Sequence, residues 1–409
     1  MSKLLIKNIG TLQTPVGSHK HCGQEQGKNQ KLKAAAILVE DGIIKEITSG
    51  GVLPKEEAEL IIDAEGNLIT PGLVEGHTHL VFGGYRQNEI PLKLKGAGYL
   101  DILKAGGGIL DTVRKTREAS KTQLYEKSEG FLDEMLDLGV TTCEAKSGYG
   151  LDLDTEVKML EVIKELNENH PMDLVATFMG AHAIPAEYKG KGGEYIKMVC
   201  QEMIPYVKER GLAEFCDIFC EDGVFDVDQS ETYMKCAKEH GFGLKIHADE
   251  IEEIGGSKLA GKMGAISAEH LIAIGEKGMA SMVKGGTIAM LLPATSFYLG
   301  KTFAPARRMI ELGIPVAIAS DFNPGSCPSL NLQLAINLGY LKYSMTPEEI
   351  LTAVTINPAC GINREKTIGT LEVGKQADMV IWDAPNMEML CYRFGSNLAL
   401  QVIKKGELV

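Results

Sequence analysis

The sequence predicts an α/β protein built on a (β/α)8 barrel, with a small β-sandwich domain assembled from both termini. Between residues 73 and 320, eight short apolar runs alternate with amphipathic helical patterns, as in a parallel sheet covered by helices. Polar or glycine-rich residues follow each run. A chain of 409 residues is long enough for one such barrel and a smaller unit.

The predicted elements follow one another at the spacing that a barrel needs. The eight predicted strands cover residues 73–75, 141–144, 174–178, 215–219, 244–246, 265–268, 287–291 and 316–319. The predicted helices cover residues 122–138, 153–169, 194–209, 229–240, 256–262 and 305–312. Eight strands largely separated by helices, within about 250 residues, match a (β/α)8 barrel in count and length.

The two ends of the chain have a different pattern, which indicates a separate β domain. Residues 3–8, 35–48 and 59–70 have the pattern of short strands, and the tail resumes it in DMVIWD and LALQVIKKGELV. Prolines interrupt the regular pattern near residues 71 and 358. We therefore expect residues 1–71 and 358–409 to form the small domain and residues 72–357 to form the barrel.

Two segments without periodicity are predicted to be loops. The polar residues 14–30 indicate a surface loop, in which His19, His21 and Cys22 could bind a stray metal ion, although a solvated loop is favoured. The glycines between residues 96 and 108 do not form G-x-G-x-x-G after a strand. A flexible loop over a pocket is therefore favoured over a nucleotide site.

Composition narrows the class of protein. The formal net charge is -13 and there is no basic block, so nucleic acid is not an expected partner. No run of 18 apolar residues is present, so no membrane association is expected. Nine scattered cysteines do not suggest a disulfide framework, and MSKLLIKNIG lacks the apolar core of a signal peptide. These features predict a cytoplasmic protein.

Chemistry-bearing side chains gather directly after the predicted strands. Five of the nine histidines lie there: His77, His79, His182, His247 and His270. In a parallel barrel these strand ends share one face, where barrel enzymes keep their active sites. The His77-Thr78-His79 segment has the period of a strand, so both imidazoles point to the same side. Such a pair alone is weak evidence, because two polar residues at a strand end are common.

A metal site explains this gathering best. Because His247 and Asp321 follow the fifth and eighth predicted strands, they can converge on the histidine pair. Three nitrogens and one oxygen suit Zn(II) or Fe(II) and leave a position for water. A metal-bound water loses its proton near neutral pH, and this supplies a nucleophile.

The motifs GLVEGHTHLVFGG, KIHADE and ASDFNPGS resemble the amidohydrolase superfamily of metal-dependent barrel hydrolases, and the split β domain matches as well. With GAGYLDI, GGGI, KSGYGLD, TFMGAH, DIFCE and AEHL, they are similar to its imidazolonepropionase family. The resemblance implies a homodimeric enzyme of histidine degradation. It would hydrolyse the cyclic amide of 4-imidazolone-5-propanoate to N-formimidoyl-L-glutamate.

The resemblance also implies site residues. It places one Zn(II) or Fe(II/III) ion on His77, His79, His247 and Asp321. It assigns catalysis to Glu250, His270 and Asp321, with His270 beside the metal-bound water. It assigns substrate binding to Arg86, Tyr149, His182, Glu250, Asn323, Gly325 and Ser326. Cys220-Glu221 stands where many two-metal members carry a bridging carboxylated lysine, which fits a single metal ion.

Physical chemistry agrees with two of these roles. The guanidinium fork of Arg86 can hold the carboxylate of the substrate in two parallel hydrogen bonds. Glu250, three residues after a proposed ligand, is placed to move protons to the departing ring nitrogen. The alternative role of Glu250 is to orient a ligand histidine.

Other functions remain open at this stage. A cytosine or guanine deaminase would share the metal ligands, but it needs no arginine for a substrate carboxylate. A catalytically inactive barrel that acts as a binding protein should have lost a ligand or a proton carrier, and none is missing. The choice between zinc and iron, and between Glu250 and His270 as principal base, is also open.

Overall fold

The computed structural model of the protein describes residues 3–96 and 107–409. Its strands are β1 (Lys3–Thr14), β2 (Gln30–Glu40), β3 (Ile43–Thr48), β4 (Leu60–Asp63), β5 (Leu68–Pro71), β6 (Leu73–Glu75), β7 (Val140–Lys146), β8 (Asp173–Ala181), β9 (Phe215–Cys220), β10 (Gly243–Ala248), β11 (Ser267–His270), β12 (Ile288–Leu291), β13 (Val316–Ile318), β14 (Met379–Trp382), β15 (Ala399–Lys404) and β16 (Glu407–Leu408). They form two separate eight-stranded sheets.

One sheet is the predicted barrel. Strands β6 to β13 pair in chain order, and every pair is parallel. The first and last strands meet beyond their ends, where Thr78 forms a parallel bridge with Phe322. The backbone N–H of His79 donates to the carbonyl of Phe322 at 2.9 Å. The predicted (β/α)8 class is therefore confirmed.

Helices cover the outside of the barrel strands. The α-helices span Ile90–Leu94, Ile109–Glu118, Lys121–Asp137, Leu153–Asn169, Gly192–Met198, Ile204–Glu209, Val227–Glu239, Gly256–Met263, Glu276–Gly285, Pro293–Tyr298, Ala306–Glu311, Leu332–Tyr343, Pro347–Ala353, Ile356–Gly361 and Met387–Tyr392. Capping boxes at Ser120, Asp226 and Thr346 fix where three of them begin. Within residues 3–96 and 107–409, no helix is long and apolar enough to cross a membrane.

The barrel strands coincide with the apolar runs of the sequence, because both faces of a barrel strand are buried. All four residues of β12, Ile-Ala-Met-Leu, are buried, as are all seven of β7. Strands covered on both faces are typically continuous apolar runs. The few charged residues inside β7, β9, β10 and β11 are therefore exceptions that need partners.

The second sheet joins both ends of the chain. Its strand order is β16-β15-β14-β5-β1-β2-β3, and β4 pairs with β1. Strand β14 pairs antiparallel with β5, in the register Met379 opposite Pro71. This sheet has an apolar core of its own, which includes Ile6, Ile37 and Ile403.

The two ends of the barrel segment differ in how they meet this sheet. Strand β5 ends at Pro71 and the first barrel strand begins at Leu73. The other predicted boundary, between residues 357 and 358, lies inside the helix Ile356–Gly361, whose Ala359 packs with Val74 of the barrel. The domain boundaries stay a prediction.

The predicted loops have separate outcomes. Residues 15–29 connect β1 to β2 and contain a 3-10 helix at Gly23–Gly27, but His21 and Gln26 are buried. The Gln26 amide exchanges two hydrogen bonds of 3.0 Å with the backbone of Val316, which is why this polar segment is not simply solvated. Most of the predicted glycine-rich loop falls at residues 97–106, outside the described residues.

Candidate metal centre

Four side chains converge at the carboxyl ends of β6, β10 and β13. One ring nitrogen from each of His77, His79 and His247 lies within 4.8 Å of the other two, and all three residues are buried. The Oδ1 atom of Asp321 lies 3.5 Å from Nε2 of His77 and 3.7 Å from Nε2 of His79. The structure thus brings together the four residues predicted as metal ligands.

The donor atoms fit a divalent metal ion. The Nε2 atoms of His79 and His247 face each other at 3.4 Å. The buried Nε2 atom of His77 has no hydrogen-bond partner among the described residues. Nitrogen lone pairs gathered in a buried space need a shared proton or cation, and three imidazoles with one carboxylate suit zinc or iron.

Two carboxylates hold the outer nitrogens of these histidines. Asp217 Oδ1 lies 3.0 Å from Nδ1 of His247, and Glu269 Oε2 lies 2.9 Å from Nδ1 of His77. A carboxylate that accepts a hydrogen bond from Nδ1–H fixes the ring and leaves the Nε2 lone pair for the centre. Sequence reasoning missed both residues, although Asp217 is the one charged residue of the otherwise apolar strand β9 and Glu269 directly precedes His270 in β11.

A buried charge network lies behind Asp217. The Nζ atom of Lys146 is 2.8 Å from Asp217 and 2.9 Å from Glu144, and Lys245 is 3.1 Å from Glu144. Burial alone would raise the pKa of Asp217, but His247 and Lys146 hold that pKa well below its usual range. Asp217 therefore stays a carboxylate and keeps accepting the proton of His247.

Asp321 is fixed by its own surroundings. Thr295 donates its hydroxyl proton to Oδ2 of Asp321 at 2.6 Å, which leaves Oδ1 facing the histidines. The backbone of Asp321 has a φ of 58°, in the left-handed region that non-glycine residues rarely adopt. Such backbone strain is concentrated at functional sites.

Glu250 and His270 adjoin the histidine cluster as a pair. Oε2 of Glu250 lies 3.5 Å from Nε2 of His270, and the ring of His270 lies 5.2 Å from that of His247. Burial, helped by the charge of Asp321, raises the pKa of Glu250 to about 8. Burial also lowers the pKa of His270 well below its usual value. Because Asp217 and Glu269 already hold the outer nitrogens of His247 and His77, Glu250 is not needed to orient them.

His182 and Tyr149 form one wall beside the cluster. The ring of His182 stacks on His79 with a centroid distance of 4.6 Å, and Tyr149 lies 5.2 Å from His182. Burial lowers the pKa of His182 to about 3 and raises that of Tyr149 above its usual value. Both side chains are thus neutral near pH 7 and offer hydrogen bonds without charge.

The loop that carries Tyr149 is held by a single buried carboxylate. Glu156 accepts hydrogen bonds from the backbone N–H groups of Gly148, Gly150 and Leu151, at 3.0, 2.7 and 2.9 Å. Backbone groups on both sides of Tyr149 are therefore fixed. Sequence reasoning missed Glu156, because it lies in the following helix and resembles any other helical glutamate.

Arg86 lies directly against the loop after Asp321. A Cβ atom added to Gly325 would lie 1.4 Å from Nη2 of Arg86, so the guanidinium group occupies the space that this glycine leaves open. The backbone N–H of Arg86 also donates to the carbonyl of Pro324, at 3.3 Å. A cationic group is thus held beside the loop that follows the proposed ligand Asp321.

Asn323 shapes this loop. Its Oδ1 atom accepts hydrogen bonds from the backbone N–H groups of Gly325 and Ser326, at 2.9 and 2.8 Å, and from the Ser326 hydroxyl at 3.1 Å. Its Nδ2 group donates to the carbonyl of Asp321 at 2.7 Å. The predicted substrate contacts Asn323 and Ser326 therefore bond to each other, and the loop is held as one unit.

The (β/α)8 barrel, the three convergent histidines and the carboxylate of Asp321 define the class of metal-dependent hydrolases. Comparisons with known proteins identify the family within this class. A model of the amidohydrolase family matches residues 68–409. The imidazolonepropionase of Alkaliphilus metalliredigens is 51% identical over 100% of this chain and 98% of its own length. That of Treponema denticola is 54% identical over 93% and 92%. The chain therefore belongs to the amidohydrolase family and, within it, to the imidazolonepropionases.

The fold is also found among solved structures. Atrazine chlorohydrolase from Arthrobacter aurescens, crystallised in complex with zinc, superposes with a TM-score of 0.73 and 18% sequence identity. The match covers 99% of this chain and 94% of that one. At this level of identity the comparison supports the fold alone.

Proposed function

We propose that the protein hydrolyses the cyclic amide of 4-imidazolone-5-propanoate to N-formimidoyl-L-glutamate, a step of histidine degradation. The observation that carries this proposal is the identity of about one half, over nearly the whole chain, with imidazolonepropionases. The site supports it, because Arg86 beside the loop that follows Asp321 matches a substrate with an anionic tail. A deaminase of guanine or cytosine has no use for that cation.

In this proposal His77, His79, His247 and Asp321 hold one zinc or iron ion. A divalent ion of this kind lowers the pKa of a coordinated water toward neutrality and so supplies the nucleophile for hydrolysis. Asp217 and Glu269 keep the histidine lone pairs directed at the centre. The hydroxyl group of Thr295 bonds to Oδ2 of Asp321 and so keeps Oδ1 directed at the centre.

The substrate binds between the side chains of His182 and Tyr149 and the loop that follows Asp321. Arg86 binds the propanoate carboxylate through two parallel hydrogen bonds and supplies a local positive charge in a chain whose net charge is -13. The neutral His182 and Tyr149 bond to the polar atoms of the ring. Asn323, Gly325 and Ser326 shape the loop against which the substrate lies.

Glu250 is the proton carrier that we assign to the reaction. Burial raises the pKa of Glu250 toward neutrality, so this carboxyl group can hold a proton and give it to the ring nitrogen as the C–N bond breaks. His270, 3.5 Å away, is neutral and offers a hydrogen-bond partner for the carboxyl group or for the attacking water. Glu250 is thus the principal acid, it regains its proton from the carboxylic acid group that hydrolysis forms, and His270 assists it.

A hydrolysis assay with freshly made 4-imidazolone-5-propanoate, combined with metal analysis, tests the proposal. We expect turnover, loss of activity on chelation, and a loss of several orders of magnitude in His77→Ala and Asp321→Ala. Full activity of a verified metal-free sample would contradict the metal mechanism. Deamination of guanine or cytosine, without hydrolysis of the propanoate, would contradict the substrate.

We also propose a cytoplasmic homodimer, as the family resemblance implies. Large apolar side chains are exposed on and just after two adjacent helices, namely Tyr340, Leu341, Tyr392 and Phe394. Analytical ultracentrifugation of the full chain distinguishes the mass of one chain from that of two.

A further inference from the structure

A second group of metal-binding side chains lies in the loop between β1 and β2. One ring nitrogen each of His19 and His21 and a carboxylate oxygen of Glu25 all lie within 4.8 Å of one another. The Nε2 atom of His19 is 3.0 Å from Oε1 of Glu25. The two imidazole rings are 4.9 Å apart. This group is separate from the first proposed metal site and shares no residue with it.

His21 has the hydrogen bonding of a histidine ready to bind a metal ion. It is 2% exposed, and its Nε2 atom lies 2.9 Å from the carbonyl oxygen of Val16. Because a carbonyl can only accept, Nε2 carries the proton and Nδ1 keeps its lone pair. That buried Nδ1 atom has no hydrogen-bond partner among the described residues. A bond from one ring nitrogen to a backbone carbonyl typically orients metal-binding histidines.

The backbone of His21 is fixed, whereas the other two side chains are free to adjust. The N–H of His21 donates to Oδ1 of Asn357 at 2.8 Å, and Nδ2 of Asn357 donates to the carbonyl of His21 at 3.0 Å. The side chains of His19 and Glu25 are 56% and 44% exposed. They can approach His21 without moving the core.

We propose that His19, His21 and Glu25 bind a second divalent transition-metal ion, with zinc as the ion that this donor set suits best. Two imidazole nitrogens and one carboxylate oxygen are ordinary zinc ligands, and water completes the coordination. Ligands 2.0–2.1 Å from a tetrahedral ion lie about 3.3 Å apart. Rotations of the exposed His19 and Glu25 side chains can close the present spacing to that value.

The place of this site predicts its role. Gln26, one residue after Glu25, bonds to Val316, the first residue of β13, whereas Asp321 lies beyond the other end of that strand. The second site thus lies toward the barrel end opposite the catalytic cluster. An ion there cross-links the loop next to the hydrogen bonds that Gln26 and His21 make with the rest of the fold, and it stabilises the folded protein by mass action. It takes no part in the hydrolysis.

Zinc binding to the holoenzyme tests this proposal. The full chain, with its catalytic metal content measured first, is titrated with zinc by isothermal calorimetry, and bound metal is counted after gel filtration. We expect one additional zinc ion per wild-type chain and none in the His19→Gln/Glu25→Gln double variant. Gln24→Ala, an exposed change in the same short helix that removes no ligand, should keep the additional ion.

Further measurements keep the result unambiguous. Zinc should raise the Tm of the wild type but not that of the double variant, while both should melt alike without added zinc and keep the same hydrolytic activity. Cys22→Ser should still bind the additional ion. The proposal is wrong if the wild type takes up no additional zinc, if the double variant still binds it, or if removal of the Cys22 thiol abolishes binding.

Discussion

Asp217 links His247 to Lys146. Its Oδ1 atom lies 3.0 Å from Nδ1 of the histidine and its Oδ2 atom lies 2.8 Å from Nζ of the lysine. All three side chains are buried in the barrel. One carboxylate thus orients a proposed metal ligand and neutralises a buried cation at the same time, so a change at Asp217 should affect both functions.

We expect Asp217→Asn to weaken metal binding by about tenfold to a hundredfold, because the neutral amide holds His247 less firmly. It should also lower the Tm, because Glu144 is then the one carboxylate of the described residues within ion-pair distance of Lys146. Competition with a chelator of known affinity measures the first effect and calorimetry the second. Asp222→Asn, an exposed change two residues after the same strand, serves as the control. Unchanged metal affinity in Asp217→Asn would show that Asp217 does not orient the ligand.

Glu250→Gln should lower kcat by about a hundredfold to ten-thousandfold, the usual effect of removing a positioned proton carrier. The metal content should stay as in the wild type, since Glu250 lies beside His270 rather than among the proposed ligands. Glu252→Gln, an exposed change in the same loop, should be fully active. If Glu250→Gln loses less than about tenfold in kcat, His270 is the better candidate for the principal base.

Arg86 and Gly325 should give the same phenotype when either is changed. Arg86→Met removes the charge, and Gly325→Ala places a methyl group where the guanidinium lies, so that Arg86 must move. Both variants should lose about tenfold to a hundredfold or more in kcat/KM for 4-imidazolone-5-propanoate, as expected for a charged hydrogen bond. A neutral analogue without the carboxylate should lose far less.

Gly193→Ala is the matched control for Gly325→Ala, because a Cβ atom there meets its nearest neighbour only at 3.9 Å. Equal losses for the propanoate and the neutral analogue would assign Arg86 a structural role rather than a role in substrate recognition.

Asp173 should make stability depend on pH. Burial would raise its pKa, but Lys404 and Lys405 hold the pKa of this carboxyl below its usual value. The stabilisation is therefore present above the ordinary aspartate pKa and is lost as the pH falls through the lower pKa of the folded state. Asp173→Asn should cost about 1 kcal/mol at pH 7, a modest value because the carboxylate is partly exposed.

Thermal melts across the acid range check this prediction. The difference in Tm between wild type and Asp173→Asn should be largest near neutral pH and should shrink as the medium becomes more acidic. A difference that is constant with pH would assign the effect to the hydrogen bond from Gln376 rather than to the charge.

Some of these relationships were predictable from the sequence and others were not. The barrel was predictable, because apolar runs mark buried strands. The gathering of His77, His79 and His247 was predictable as well, because they follow directly after two of these runs. The hydrogen bond that His77 donates to Glu269 was not, since it depends on which strands face each other across the barrel. The burial of His21 was not predictable either, because it depends on Asn357, far along the chain.

The bridge between Thr78 and Phe322 has a consequence for biosynthesis. The same two backbone segments that close the barrel carry His77 and His79 on one side and Asp321 on the other. A nascent chain that has emerged only as far as β12 already holds three of the four proposed ligands, but it has neither the carboxylate nor a closed ring. During translation the complete ligand set and the closed barrel should therefore arise in the same late step.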